Sequence, residues 1–250
     1  MRERARLTSV GLPHAGDWLN VLPSHTLGLH IRPAEFVTSV KYRLGVPVYT
    51  EAGQCPACNH HSDTLGDHAI SCGNMGERIA RHDSLRDALF AVTQTACLGA
   101  TREGRALLPD TQARPADVLI PHWTGGRDTA LDVTVINPLQ TELVRRAANK
   151  AGAALEVAFN RKMTQAGEAC RREGIVFAPM PWWETLGGWH EETVEQVKKL
   201  ASAQARQTGE EQSEATRHLY QKLSVLLARG NAALLNRFPN YASPDIDGVE

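Results

Sequence analysis

Two aspartates set against short apolar runs are the first candidates for chemistry. Val118-Leu119-Ile120 and Leu131-Asp132-Val133-Thr134-Val135 are β-type runs, separated by a turn segment with Gly125-Gly126. That pattern predicts a hairpin. Asp117 stands at the start of the first run and Asp132 inside the second. An acid with apolar neighbours on both sides is costly unless it is paired, hydrogen-bonded or on a metal. Two acids on adjacent strands can converge on one hard cation, and Mg²⁺ suits one or two carboxylates plus a substrate phosphate. The competing reading of the same spacing is a surface hairpin with one capping and one edge aspartate.

A second constellation lies upstream. Cys55-Pro-Ala-Cys58 is a CxxC knuckle, and His68-Ala-Ile-Ser-Cys72 offers two further ligands. Cys and His at these spacings suit tetrahedral zinc as Cys₃His. Gly-Asp-His-Ala-Ile-Ser-Cys reads as the start of a helix that carries His68 and Cys72 at i, i+4 on one face. This favours His68, with Cys58-x-x-His61 as the competing set. So short a segment buries no core of its own, so the metal would supply its folding energy.

The full strings say more. Pro115-Ala116-Asp117, then Asp132-Val133-Thr134, resemble the PD-(D/E)XK nuclease signature. More narrowly, R-P-A-D-V-L-I with L-D-V-T-V is similar to the restriction-like endonuclease at the C-terminus of some non-LTR retrotransposon polyproteins. The upstream knuckle fits the CCHC knuckle that precedes that nuclease. W-L-N-V-L-P-S-H-T-L-G-L-H and Y-R-L-G-V-P-V resemble the segment joining it to reverse transcriptase. The resemblance covers most of residues 17–190. It implies Asp117 and Asp132 as Mg²⁺ ligands, Glu103 as an acid completing that shell, and Arg81 and His82, with Arg114 of the R-P-A-D string, at the DNA backbone or the edge of the active site. Two departures stand out. Thr134 occupies the place of the motif lysine, and Asp83 replaces the asparagine of an R-H-N triplet. The string F-N-R-K-M…E-A-C makes Lys162 the substitute lysine.

Geometry suggests a different one. A helix rises about 1.5 Å per residue and a strand about 3.3 Å. Climbing back from Val135 to the level of Asp132 takes roughly seven to ten helical residues, which ends near Lys150. Both lysines fall in a long helical stretch, Leu139 to about Arg172, broken near Gly152 or Gly167. There seven bases, Arg145, Arg146, Arg161 and Arg171 among them, face Glu142, Glu156, Glu168 and Glu173. Such a basic surplus can hold phosphate.

The remaining pattern supplies the frame. A helix is predicted from Pro33, with Phe36, Val37, Val40 and Leu44 on one face and Gly45 as its stop. Another covers 77–98, with Ile79, Leu85, Leu89 and Phe90 as an apolar stripe. A buried strand follows at 174–184, where Glu184 reads as a turn anchor or a distal site residue, and then helices at 191–208 and 211–236. The expected fold is α/β, a restriction-endonuclease-like mixed sheet flanked by helices, with a small zinc knuckle and a C-terminal helical pair. Its parts are a linker or helical segment at 1–50, the knuckle at 51–76, the nuclease-like core at 77–190, the helical hairpin at 191–238 and a tail at 239–250.

A chain of 250 residues with 42% hydrophobic content can bury such a core. Its net charge of −1 gives no global basic field, so any DNA contact must come from local patches. Five cysteines, an odd count with no secretory signal, argue against a disulfide framework. No 18-residue apolar run appears, so the chain is expected to be intracellular, with no membrane partner, and nuclear by resemblance. No Y-A-D-D motif is present, and a reverse-transcriptase domain is expected outside this chain. The function expected is a Mg²⁺-dependent endodeoxyribonuclease that binds DNA and possibly RNA as well. The alternative is a catalytically decayed, zinc-stabilised nucleic-acid-binding or assembly module.

Overall fold

A computed structural model of the chain describes residues 1–74, 76–102 and 116–237, with the backbone alone at 180–182. Glu103 and Arg114 lie outside the described residues. The helices are α1 (Arg2–Val10), α2 (Pro33–Leu44), α3 (Asp67–Ser71), α4 (Gly76–Thr95), α5 (Val144–Asn149), α6 (Ala153–Lys162), α7 (Glu168–Arg172), α8 (Glu191–Thr208) and α9 (Gln212–Leu235). The strands are β1 (Gly53–Gln54), β2 (His61–Ser62), β3 (Thr101–Arg102), β4 (Val118–Thr124), β5 (Arg127–Ile136) and β6 (Val176–Glu184).

The predicted hairpin is β4–β5, antiparallel, with Val118 opposite Leu131 and Ile120 opposite Thr129. The strand order is β3-β4-β5-β6, and β6 runs parallel to β5, so the sheet is mixed. Parallel neighbours need a crossover, and α5 to α7 provide it. Pro179 sits in β6, an edge strand where a missing N–H is tolerated. The β5–β6 register shifts between Asp132 and Thr134, beside the acid that the sequence singles out.

Side-chain alternation along β5 sends Leu131 and Val133 into the main core, with Leu85 and Leu89 of α4, Leu200 of α8 and Leu223 of α9. Ala130 faces the other way, onto Cys170 of α7 and Phe177. Asp132, two residues from Ala130, shares that second side with the crossover helices. The C-terminal pair α8–α9 thus packs on the sheet across α4.

Two expected helix faces are corrected. In α4, Ile79 is not core but 66% exposed, while Arg81 is buried. Ile79 lines an open cleft, and Arg81 turns inward to donate to Asn231 Oδ1 of α9 at 2.6 Å. In α2, Phe36 and Leu44 are exposed, and Thr38, Ser39 and Tyr42 take the buried face instead. Ser39 donates to the Ala228 carbonyl of α9, so polar packing decides which face turns inward. The 139–172 stretch breaks near Gly152, as expected, but its first helix starts at Val144 rather than Leu139. Lys150 is extended (φ −143°) and Gly152 left-handed (φ +72°), which separates α5 from α6. A π-helical turn at Met163–Gly167 joins α6 to α7.

Candidate functional site: an acid cleft beside a Cys₃His cluster

Asp117 stands where the chain enters β4. Its N–H donates to the Leu131 carbonyl at 2.8 Å, and its Oδ2 accepts the Val133 N–H at 2.6 Å. The hairpin therefore fixes Asp117 through both its backbone and its carboxylate. His82 of α4 brings Nε2 to 3.2 Å from Asp117 Oδ2, and its Nδ1 lies 3.2 Å from Asp83 Oδ1. The hydrogen bond to Asp117 is the main cause that holds the His82 pKa above its ordinary value.

Asp132 is only 7% exposed. Lys162, the last residue of α6, donates to its Oδ1 at 2.9 Å, and Thr134 donates to its Oδ2 at 3.3 Å. Burial pushes the Asp132 carboxyl above its ordinary value, with Asp117 adding to the rise and Lys162 opposing it. A buried carboxyl pushed up in this way, with a second carboxylate lining the same cleft, is a donor set a hard cation would relieve.

These groups line one cleft of about 600 Å³, together with Gly73, Arg78, Ile79, Arg81, Val133, Val135 and Arg161. Of the other bases singled out in the sequence, Lys150 is exposed and bonded to Glu156 at 2.6 Å. The chain from Val135 to Lys150 is not one continuous helix but is interrupted by turns at 137–143 and 150–152, so helical rise does not carry Lys150 back to Asp132. Arg145 and Arg146 are exposed on α5, and Arg171 pairs with Glu168, all outside the lining of this cleft. Arg81 lines the cleft, yet it is buried. Burial and the neighbouring Arg78 pull its guanidinium down to about 10, so it stays charged at neutral pH.

Two lining residues of α4 are not among the predicted site residues: Arg78, and Ile79, which the periodicity assigned to the core. Their place at a predicted helix start, just beyond the Cys₃His segment, was the available signal. Arg78 donates to the Ser71 carbonyl at 3.3 Å, which ties the cleft wall to α3.

The ligand atoms of Cys55, Cys58, His68 and Cys72 all lie within 4.8 Å of one another. Sγ of Cys72 is 3.8 Å from that of Cys55 and 3.7 Å from that of Cys58. Cys58 Sγ is 3.3 Å from His68 Nε2. A tetrahedron with Zn–S bonds of about 2.3 Å has S···S edges of about 3.8 Å, so the four can hold a zinc ion. Asp63 sets the histidine by accepting the N–H groups of Leu65, Asp67 and His68 at 2.8, 3.2 and 2.9 Å. His61 is exposed on β2 and outside the cluster. Burial, together with Cys58 and Cys55, pushes the Cys72 thiol up to about 11. Burial also acts to raise Cys55, but the N–H groups of Ala57 and Cys58 outweigh it and hold that thiol below its ordinary value.

The cluster is tied to the body of the protein. Gly66, at φ +83°, sits where a Cβ would come within 2.4 Å of Leu235 at the end of α9. Arg2 of α1 pairs with Asp67, and Asn137 donates to Ser71 Oγ at 2.6 Å. Among the described residues no helix is long and apolar enough to cross a membrane. Compared with known protein families, curated proteins and solved structures, the chain matches none.

Proposed function

We propose that this chain is a metal-dependent DNA endonuclease domain of the restriction-like kind, of the type carried by retrotransposon proteins. The observation that supports this best is Lys162 on Asp132, with Asp117 beside them on the paired strand, in one cleft rimmed by arginines. The motif lysine absent at position 134 would be replaced from α6. A Mg²⁺ held by Asp117 and Asp132 would polarise the scissile phosphate and lower the pKa of the attacking water. Lys162 would stabilise the charge that develops on the phosphate. Arg161 and Arg78, both exposed at the cleft, would grip the flanking backbone. The zinc knuckle would brace the wall that carries Arg78. DNA is the partner in this reading, RNA and an upstream reverse transcriptase are further ones, and the location would be the nucleus.

A second reading has an observation of its own. Each acid is already satisfied within the chain, Asp132 by Lys162 and Asp117 by His82 and the Val133 N–H. This favours a decayed module that binds nucleic acid or assembles without cutting.

The two separate on a 5′-labelled duplex incubated with Mg²⁺. The nuclease yields fragments whose 3′-hydroxyl a polymerase extends, and Asp117→Ala yields none. Intact duplex with the wild-type protein leaves the binding module.

A further inference from the structure

The cleft holds one side chain that neither the acids nor the cluster explains. Ile79 is 66% exposed on the first turn of α4. A lone exposed apolar residue is ordinary. Its position is not, because among the described residues it is the one large exposed hydrophobic that lines the acid cleft. Two exposed arginines share the cleft with it. Arg78 precedes it, fixed through the Ser71 carbonyl at 3.3 Å, and Arg161 approaches from the end of α6. Isoleucine is branched at Cβ and stiff at χ1, so it stands out from a helix as a fixed knob.

Resting on the nuclease reading, we propose that Ile79 is a DNA wedge. With duplex in the cleft and its phosphates on Arg78 and Arg161, Ile79 enters the minor groove and partly unstacks one base step. Apolar side chains inserted between base steps kink the duplex toward the major groove. The kink would open the backbone toward Asp117 and Asp132. A purely electrostatic cleft would instead hold a straight duplex and leave its twist unchanged.

The test uses the full zinc-loaded chain carrying Asp132→Asn, so that DNA is bound and not cut. Closed circular plasmid is relaxed with a metal-independent topoisomerase in the presence of protein, and its topoisomers are resolved after the protein is removed. The wedge predicts a shift to underwound topoisomers. The shift disappears with Ile79→Ala and returns with Ile79→Leu, while affinity stays within about threefold because phosphate contacts carry it. A shift that survives Ile79→Ala, or no shift from bound Asp132→Asn protein, overturns the wedge and leaves the nuclease reading intact. A shift lost with Ile79→Ala, beside a wild type that never nicks, keeps the wedge and removes the nuclease. No DNA binding removes both.

Discussion

Lys162 Nζ lies 2.9 Å from Asp132 Oδ1, across 30 residues of chain. One partner is on a strand and the other closes a helix that returns from it. The sequence distance reflects the non-helical turn at 137–143 and the break at Lys150–Gly152, both of which lengthen the return path.

That pair separates two lysines by experiment. On the proposed nuclease function, Lys162→Ala would remove a cation beside the reacting phosphate and should lower the nicking rate by about 10²–10³-fold. Lys150→Ala, which only frees exposed Glu156, leaves the rate unchanged. Equal losses from the two would take Lys162 out of the chemistry. The measurement is single-turnover nicking by both variants.

Asp132→Ala should not destabilise the protein in Mg²⁺-free buffer. Burial has raised this carboxyl, so its ionised form at neutral pH costs stability, which the Lys162 pair offsets only in part. The variant therefore melts at or above the wild type. Added Mg²⁺ raises the wild-type midpoint and not that of the variant. The melts are run without chelator, which would strip the zinc as well. A loss of about 1–3 kcal/mol would instead mark Asp132 as a structural acceptor for Lys162 and Thr134.

Metal analysis should find one zinc per chain. The zinc is retained in His61→Ala and lost in His68→Ala and Cys72→Ala. Its loss should also spread beyond the knuckle. Gly66 against Leu235, Arg2 on Asp67 and Tyr49 on the Leu235 carbonyl join the cluster to α1 and α9. Amide exchange after chelation should therefore rise in α1 and in the last turns of α9. Exchange confined to residues 51–76 would make the knuckle an independent unit.

Much of this was legible in the residues. Two β-type runs around Gly125-Gly126 gave the hairpin, which sets Asp117 and Asp132 on the wall of one cleft. The Cys and His spacing gave the cluster, and α8 and α9 fell within a residue of the predicted 191–208 and 211–236. What failed depended on tertiary partners. Periodicity placed Ile79 in the core and Arg81 outside, but Asn231 on α9 draws the arginine in. Nothing local in β6 announces that Glu184 is fully buried.

Glu184 gives the pH prediction. Neither carboxylate oxygen has a hydrogen bond of ordinary geometry, and burial raises its pKa to about 7, with Ser9 nearby as the one opposing influence. A carboxyl raised on folding favours the folded state below its unfolded pKa. That advantage is lost as pH climbs through the folded value. Wild-type stability should thus fall between about pH 4.5 and 7.5, by of order 1–3 kcal/mol relative to Glu184→Gln. Thermal melts of the two proteins across that range check it, and parallel pH profiles would show Glu184 to be neutral or paired.

Cation-dependent phosphodiester cleavage at the acid pair is the activity proposed for this cleft, and plasmid nicking measures it most directly. Supercoiled DNA is incubated with zinc-loaded protein, with and without Mg²⁺, using wild type beside Asp132→Asn. The prediction is open-circular product from the wild type with Mg²⁺ alone, and none from the variant under either condition. Nicking by Asp132→Asn at the wild-type rate, or no Mg²⁺-dependent nicking by the wild type, would contradict it.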